Sequence, residues 1–154
     1  MSVGIAGTLD SGMAGIGAAV AASSSVFADE GIETPDGFSD CDAMGFPLGE
    51  FSGSAPPTDP TLLARLAGGA DLTATVATVS TCSGTDARAR AVRARTGAAA
   101  EAMEGAAVGL AAHRLGVPFA ELRVISNTTG DRPRQEWRIR EALEALGAVI
   151  GRVF

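Results

Sequence analysis

The sequence predicts an α/β fold in which a parallel or mixed sheet is covered by helices on both faces. Three observations carry this. Runs with strand character alternate with runs of helical spacing through the second half of the chain. Polar or glycine-bearing turns follow the strand runs, and the last helical run carries one apolar stripe. Alternation of this kind is the mark of a sheet buried between helices.

The elements follow in order. Met1-Ser2-Val3-Gly4-Ile5-Ala6-Gly7 reads as the end of a buried strand entering a glycine turn. Val20 to Phe27 is read as a second strand, and Asp29 to Phe46 as a loop in which Thr34-Pro35-Asp36-Gly37 supplies a turn. Residues 47–60 hold Pro47, Gly49, Gly53, Pro56, Pro57 and Pro60 and are expected to form a flexible loop. Thr61 to Leu66 makes a short helix, and Leu72 to Thr81 alternates Thr or Ser with Ala and Val as a strand does. Ser83-Gly84-Thr85 then offers a turn and helix cap before Asp86 to Arg95. Glu101 to Leu115 reads as a helix stopped by Gly116 and Pro118. Phe119 to Ile125 is a strand that runs into the polar loop Ser126–Asp131. A last helix starts near Pro133, with Ile139, Leu143, Leu146 and Ile150 as its apolar stripe and Arg140–Glu144 as an exposed ion pair.

Composition narrows the function classes. With 154 residues the chain suffices for one domain with a core. Residues 1–64 hold nine acids and no base, whereas residues 65–154 hold nine acids and all twelve arginines; there is no lysine. An acidic chain without a basic stripe is a poor nucleic-acid binder, and the arginines at 88, 90, 93 and 95 read as a solvated helix face. Cys41 and Cys82 have neither metal-ligand spacing nor a disulfide framework, which points to a reduced, cytoplasmic setting and to no metal. The apolar stretch Val3 to Val26 lacks a basic leader, contains Asp10 and is rich in glycine, so neither a signal peptide nor a membrane span is expected. His113 stands alone on a helix face, where a catalytic or metal role is not expected.

Ligands of open α/β sheets bind beyond the carboxyl ends of the strands. Gly4–Gly7, Cys82–Thr85 and Ser126–Asp131 each follow a strand and are expected to converge with Glu104 beside them, as an enzyme active site. Glu104 stands out. At helical spacing it shares a stripe with Val108, Ala111 and Leu115, opposite His113, and so is expected to point into the protein. A carboxylate so placed is costly unless paired. It is either a helix-start acid favoured by the macrodipole or a ligand-binding acid at the floor of a pocket.

These residues carry a resemblance. Met103-Glu104, the entry Val117-Pro118-Phe119 and Arg123-Val124-Ile125-Ser126-Asn127 resemble the nucleoside phosphorylase and hydrolase superfamily. Within it, Glu101-Ala102-Met103-Glu104-Gly105, Gly130-Asp131-Arg132, Trp137-Arg138-Ile139 and the loop from Ala28 to Phe38 are similar to the futalosine hydrolases. The resemblance runs from Gly4 to about Leu146. It implies a three-layer αβα sandwich with a mixed, mostly parallel sheet, here lacking the first strands and so a single, N-terminally incomplete nucleosidase-like domain over 1–154. It also implies hydrolysis of the N-glycosidic bond of futalosine, or a similar purine nucleoside, with release of hypoxanthine in menaquinone biosynthesis. No cofactor is implied; the partner is the small-molecule nucleoside, and the assembly a homo-oligomer. Alternatives are a methylthioadenosine/S-adenosylhomocysteine-type nucleosidase, a purine nucleoside phosphorylase, or an inactive remnant.

The resemblance assigns roles residue by residue. Glu104 corresponds to the acid that grips ribose hydroxyls and favours the cation-like transition state. Met103 packs on the sugar, and the backbone at Ala6 and Gly7 lies near the nucleoside, with Ser126 beside it. Asn127 is the catalytic candidate. It stands where the 6-aminopurine nucleosidases carry aspartate, and an amide both donates and accepts, which suits a 6-oxopurine leaving group. A local Asx-type bond is the plainer use of Asn127. Phe38, Phe46 and Trp137 are candidates to stack on the base, with Phe38 preferred. The acid that activates water has no counterpart in this chain.

Overall fold

The computed structural model describes residues 1–154. Seven strands and four helices follow in the order β1 (Ser2–Thr8), β2 (Ala19–Phe27), β3 (Gly31–Thr34), β4 (Gly37–Asp40), α1 (Pro60–Ala67), β5 (Leu72–Thr78), α2 (Asp86–Thr96), β6 (Ala100–Ala102), α3 (Gly105–Arg114), β7 (Glu121–Thr128) and α4 (Ile139–Val153), alternating from α1 onward. The central sheet is mixed and mostly parallel: β1–β7, β2–β5 and β5–β6 run parallel, β1–β6 and β2–β7 antiparallel. It closes on itself in the order β1-β6-β5-β2-β7.

Side-chain size explains how five strands can close. The interior cluster draws on every strand and is mostly alanine: Ala6, Val20, Ala22, Ala74, Val76, Ala100, Ala102 and Ile125. A barrel this narrow has room only for such groups. The alternate residues of β2 and β7, Ala19, Ala21, Leu122 and Val124, face outward and are covered by Leu66 of α1 and Ala142, Leu146 and Val149 of α4. Val92 of α2 packs with Ala77 and Val79 elsewhere.

Local signals set most boundaries. Asp59 caps α1, its carboxylate accepting from the Leu62 amide at 2.8 Å with Pro60 in the first turn. Thr85 caps α2, accepting from the Arg88 amide at 3.2 Å, and Gly97 ends that helix at φ 65°. The segment expected as loop between Asp29 and Phe46 contains the β3–β4 hairpin, and the turn falls at Thr34–Gly37, where Thr34 Oγ1 donates to the Gly37 carbonyl at 3.0 Å. Residues 47–59 form no regular element.

Four sequence expectations are corrected. The helix expected from Glu101 begins at Gly105, because Ala100–Ala102 form β6 between β1 and β5; strand pairing in the barrel overrides the helical preference of alanine. The strand expected to end at Ile125 continues to Thr128, so Ser126 and Asn127 are in β7 rather than in a loop. The helix expected at Pro133 begins at Ile139; Arg132–Arg134 make only one 3₁₀ turn. The buried stripe of α4 is Ala142, Leu146 and Val149, while Ile139 and Leu143 are about half exposed.

Candidate active site

The ends of β1, β5, β6 and β7 open onto one cavity of about 470 Å³, within the usual range for small-ligand sites. Ala6 and Gly7 line it from β1, Cys82–Gly84 from the loop after β5, and Glu101–Glu104 from β6 and the turn into α3. Ser126 and Asn127 line it from β7, and Arg132, Gln135 and Trp137 from the segment beyond. The three segments expected to converge therefore meet here with Glu104 beside them, although Gly4–Gly7 and Ser126–Thr128 lie within β1 and β7 rather than in loops.

Glu104 is not held there by a helix stripe. It occupies the cap position of α3, with φ −126° and no capping bond, and its side chain is 60% exposed. The first turn of α3 is satisfied from elsewhere, since the Ala106 amide donates to Thr78 Oγ1 at 2.8 Å. The Glu104 carboxylate instead meets Arg123 Nη1 at 2.8 Å. Arg123 is buried in β7 and donates Nε to Glu121 at 2.7 Å and Nη2 to Ser2 Oγ at 2.8 Å. Glu121, wholly buried, also accepts from the Ser25 hydroxyl. Glu121, Arg123 and Glu104 thus form a chain from the core to the cavity, with a net charge of −1 when all are ionised. Two glycines make room for it. A Cβ on Gly105 would fall on the Glu121 carboxylate, and one on Gly4 would lie 2.6 Å from Arg123 Nη1.

The wall formed by Ser126 and Asn127 is built from neutral groups. The register of β1 on β7 shifts between Ala6 and Gly7, which face Ile125 and Asn127 and leave Ser126 unpaired. Ser126 Oγ lies 2.8 Å from Asn127 Oδ1 and 3.2 Å from the Ala6 carbonyl; with one proton, it donates over the shorter distance. Asn127 Nδ2 donates to the Thr128 carbonyl at 2.9 Å, so the local bond exists. One N–H and one lone pair of the amide remain. Gly7 is required beside it, because a Cβ there would stand 2.8 Å from Asn127 Nδ2.

Sequence reasoning gave no role to Glu101, Glu121, Arg123 or Gln135. Glu101 is buried at the cavity and accepts from the Ser83 amide at 2.7 Å and its hydroxyl at 2.6 Å, fixing the loop after β5. Glu121 and Arg123 did carry a signal: opposite charges two residues apart in an apolar strand share one face. Met103 is half exposed, with its sulfur 3.5 Å from the Cys82 sulfur. Burial, and then the Glu101 charge, push the Cys82 thiol above the usual thiol range. Phe38 is corrected: it lies in β4 beneath Arg95, whose guanidinium carbon is 4.5 Å from the ring centroid, and does not line the cavity. Phe46 is exposed and also absent from the lining, whereas Trp137 belongs to it. His113 packs edge-on against Phe51 with ring centroids 5.2 Å apart.

A family model described as the phosphorylase superfamily matches residues 1–154. The chain belongs to the phosphorylase superfamily. Among curated proteins it is 44% identical over 141 residues to the futalosine hydrolase of Streptomyces coelicolor, covering 90% of this chain and 57% of that protein. It is 42% identical over 159 residues to the futalosine hydrolase of Acidothermus cellulolyticus, covering 94% and 62% respectively. The chain thus spans about three fifths of the length of these relatives. Among solved structures, a 5′-methylthioadenosine/S-adenosylhomocysteine nucleosidase from Colwellia psychrerythraea in complex with adenine superposes with a TM-score of 0.76 at 22% identity, over 98% of this chain and 65% of that one. A futalosine hydrolase mutant of Helicobacter pylori does so with a TM-score of 0.71 at 21% identity, over 97% and 67%. These two likenesses are of fold.

Proposed function

We propose that the cavity binds a purine nucleoside and that the protein hydrolyses its N-glycosidic bond, with futalosine as substrate and hypoxanthine as the base released, a step of menaquinone biosynthesis. The observation that carries this reading is Asn127 facing the same cavity as Glu104, with Arg123 holding Glu104 in place. The names of the two curated relatives support the choice of nucleoside.

In this reaction water adds across the C1′–N9 bond: its oxygen goes to C1′, and the bonding pair leaves with the base, which takes up a proton from the water. Positive charge builds on the sugar as the bond lengthens. Glu104 binds the sugar hydroxyls and stabilises that charge, and Met103 covers the sugar face. The free N–H of Asn127 donates to the 6-oxo group, and its free lone pair accepts from the protonated N7. An ionised aspartate offers acceptors alone.

Hydrolysis is preferred over phosphorolysis because the sugar side of the cavity is acidic. Glu101 and Glu104 line it, and Arg123, the cation nearest Glu104, is already bonded to two carboxylates. We place the protein in the cytoplasm, supported by its two free thiols; no helix is long and apolar enough to cross a membrane. We also propose a homo-oligomer, supported by exposed apolar side chains such as Phe46, Leu115 and Val117.

Incubation with futalosine, followed by chromatography, tests the reading. Free hypoxanthine appears, without dependence on added phosphate. Release that requires phosphate would identify a phosphorylase, and no release together with a non-cooperative melt would identify a remnant.

A further inference from the structure

A second cavity lies apart from the first and shares no residue with it. It holds about 300 Å³ where the end of β2, the β3–β4 hairpin and the end of α2 meet. Val26, Phe27 and Phe38 form its apolar wall, and Asp40, Ser54 and Arg95 are among its polar groups. Arg95 is the anomaly. The sequence places it on a solvated helix face, yet its Nε is wholly buried and has no acceptor. Ten of the twelve arginine side chains donate to an oxygen of the protein. Of the other two, Arg90 is exposed and can bond to water, whereas Arg95 is half-buried. No carboxylate lies within ion-pair distance of Arg95. Its guanidinium carbon is 4.5 Å from the centroid of the Phe38 ring, an apolar support that leaves all five N–H donors without an oxygen acceptor. A charged donor shut off from water without an acceptor is costly. Asp40, the acid of this cavity, does not relieve that cost. Its oxygens accept from the Ala43 amide at 2.8 Å and the Ser54 hydroxyl at 2.9 Å, and these bonds, Ala43 first, hold its carboxyl below the ordinary range.

We propose that this second cavity is a binding site for a small carboxylate with an apolar body: the carboxylate accepts from Arg95, and the body rests on Val26, Phe27 and Phe38. Three features select that class. The planar fork of a guanidinium matches a carboxylate. The wall offers flat and branched apolar surface but no second cation. Asp40 shares the space, so a phosphate dianion meets twice the repulsion that a carboxylate meets. An occupant also has a structural consequence. The β3–β4 hairpin is a two-stranded sheet separate from the barrel, and such hairpins are marginal alone. A ligand bonded to Arg95 and packed on Phe38 ties the hairpin to α2. Nothing in this site depends on what the first cavity binds.

The Nε–H signal of Arg95 in a proton–nitrogen correlation spectrum of the full chain reads the site directly, and its loss in Arg95→Gln assigns it. The probes are 3-phenylpropionate, its neutral amide 3-phenylpropanamide, and phenyl phosphate, each compared with sodium chloride at equal ionic strength. 3-Phenylpropionate moves the signal saturably with a Kd of about 1 mM, the range open to so small a ligand, and the amide binds about tenfold more weakly. In Arg95→Gln, shown to be folded by its amide spectrum, acid and amide perturb the backbone signals of Val26 and Phe38 equally. Arg95→Lys serves where the glutamine variant does not fold: it removes the same signal, and by keeping the charge without the fork it weakens binding of the acid several-fold, to about a third or less. No saturable response to the acid, or the same response to sodium chloride, leaves water as the only acceptor and overturns the site. An amide that binds the wild type as tightly as the acid denies the role of Arg95, and tighter binding of phenyl phosphate denies the carboxylate. Shifts confined to Ser83, Asn127 and their neighbours would place the acid in the first cavity and overturn the second site as well.

Discussion

The two walls of the cavity are built on different principles. On the side of Glu104, charge is buried, paired and continuous with the core: Ser25, Glu121 and Arg123 form a bonded chain that ends at an exposed carboxylate. On the side of Asn127, contacts are neutral, run only to the adjacent residues Ser126 and Thr128, and leave donors and acceptors free. The first wall commits its charges before any ligand arrives, so it suits a task that is the same for every nucleoside, holding a sugar while positive charge develops. The second keeps hydrogen-bonding capacity in reserve and suits discrimination between bases.

That contrast is broken most severely at Arg123. Arg123→Met leaves Glu121 buried without its cation and is expected to cost about 3–5 kcal/mol, read by urea denaturation; a loss below about 1 kcal/mol would show that the network is not structural. Gly105→Ala pushes a methyl group into the Glu121 carboxylate and is expected to cost about 1–3 kcal/mol in the same assay. Glu104→Gln separates structure from function. Its exposed end of the network contributes under about 1 kcal/mol to stability, whereas kcat/KM for futalosine is expected to fall about a hundredfold. A variant equally impaired in both would deny the division of labour. The smallest effect belongs to an exposed cluster outside both walls. A bond from the Asp86 amide, and then Arg134, hold the Asp131 carboxyl below its ordinary range. Because its folded value lies below the unfolded one, this contribution is fully present above the ordinary carboxylate range and fades as pH falls through the lowered value. Melts of wild type and Asp131→Asn should therefore differ slightly at pH 7 and converge in strong acid.

The same contrast explains what the sequence reveals. The neutral wall and the loops are legible because short-range chemistry sets them: Thr85 caps α2, Thr34–Gly37 turns the hairpin, and Asn127 is recognised by motif. The charged wall is legible only in part. Glu104 is found, but for the wrong reason, since helical spacing does not apply to a residue that precedes α3. Its true anchor, Arg123, comes from a strand that is 19 residues later and is seen only once β7 lies beside β1. Glu101 and Ala102 read as the start of a helix because alanine favours one locally, while closure of the barrel demands small strand residues at Ala100 and Ala102. Phe38 is expected at the site from the loop before it, yet it lies in the β3–β4 hairpin under Arg95 and does not line the cavity. Such errors share a cause: nothing local encodes which strand pairs with which.

The most direct measurement compares base release from futalosine and from its 6-amino counterpart, by wild type and by Asn127→Asp, under identical conditions. The neutral wall predicts that the wild type releases hypoxanthine about tenfold faster than adenine, and that the aspartate variant narrows or reverses this ratio. Equal rates for the two nucleosides in the wild type, or a ratio that Asn127→Asp does not change, would contradict the assignment of base recognition to Asn127.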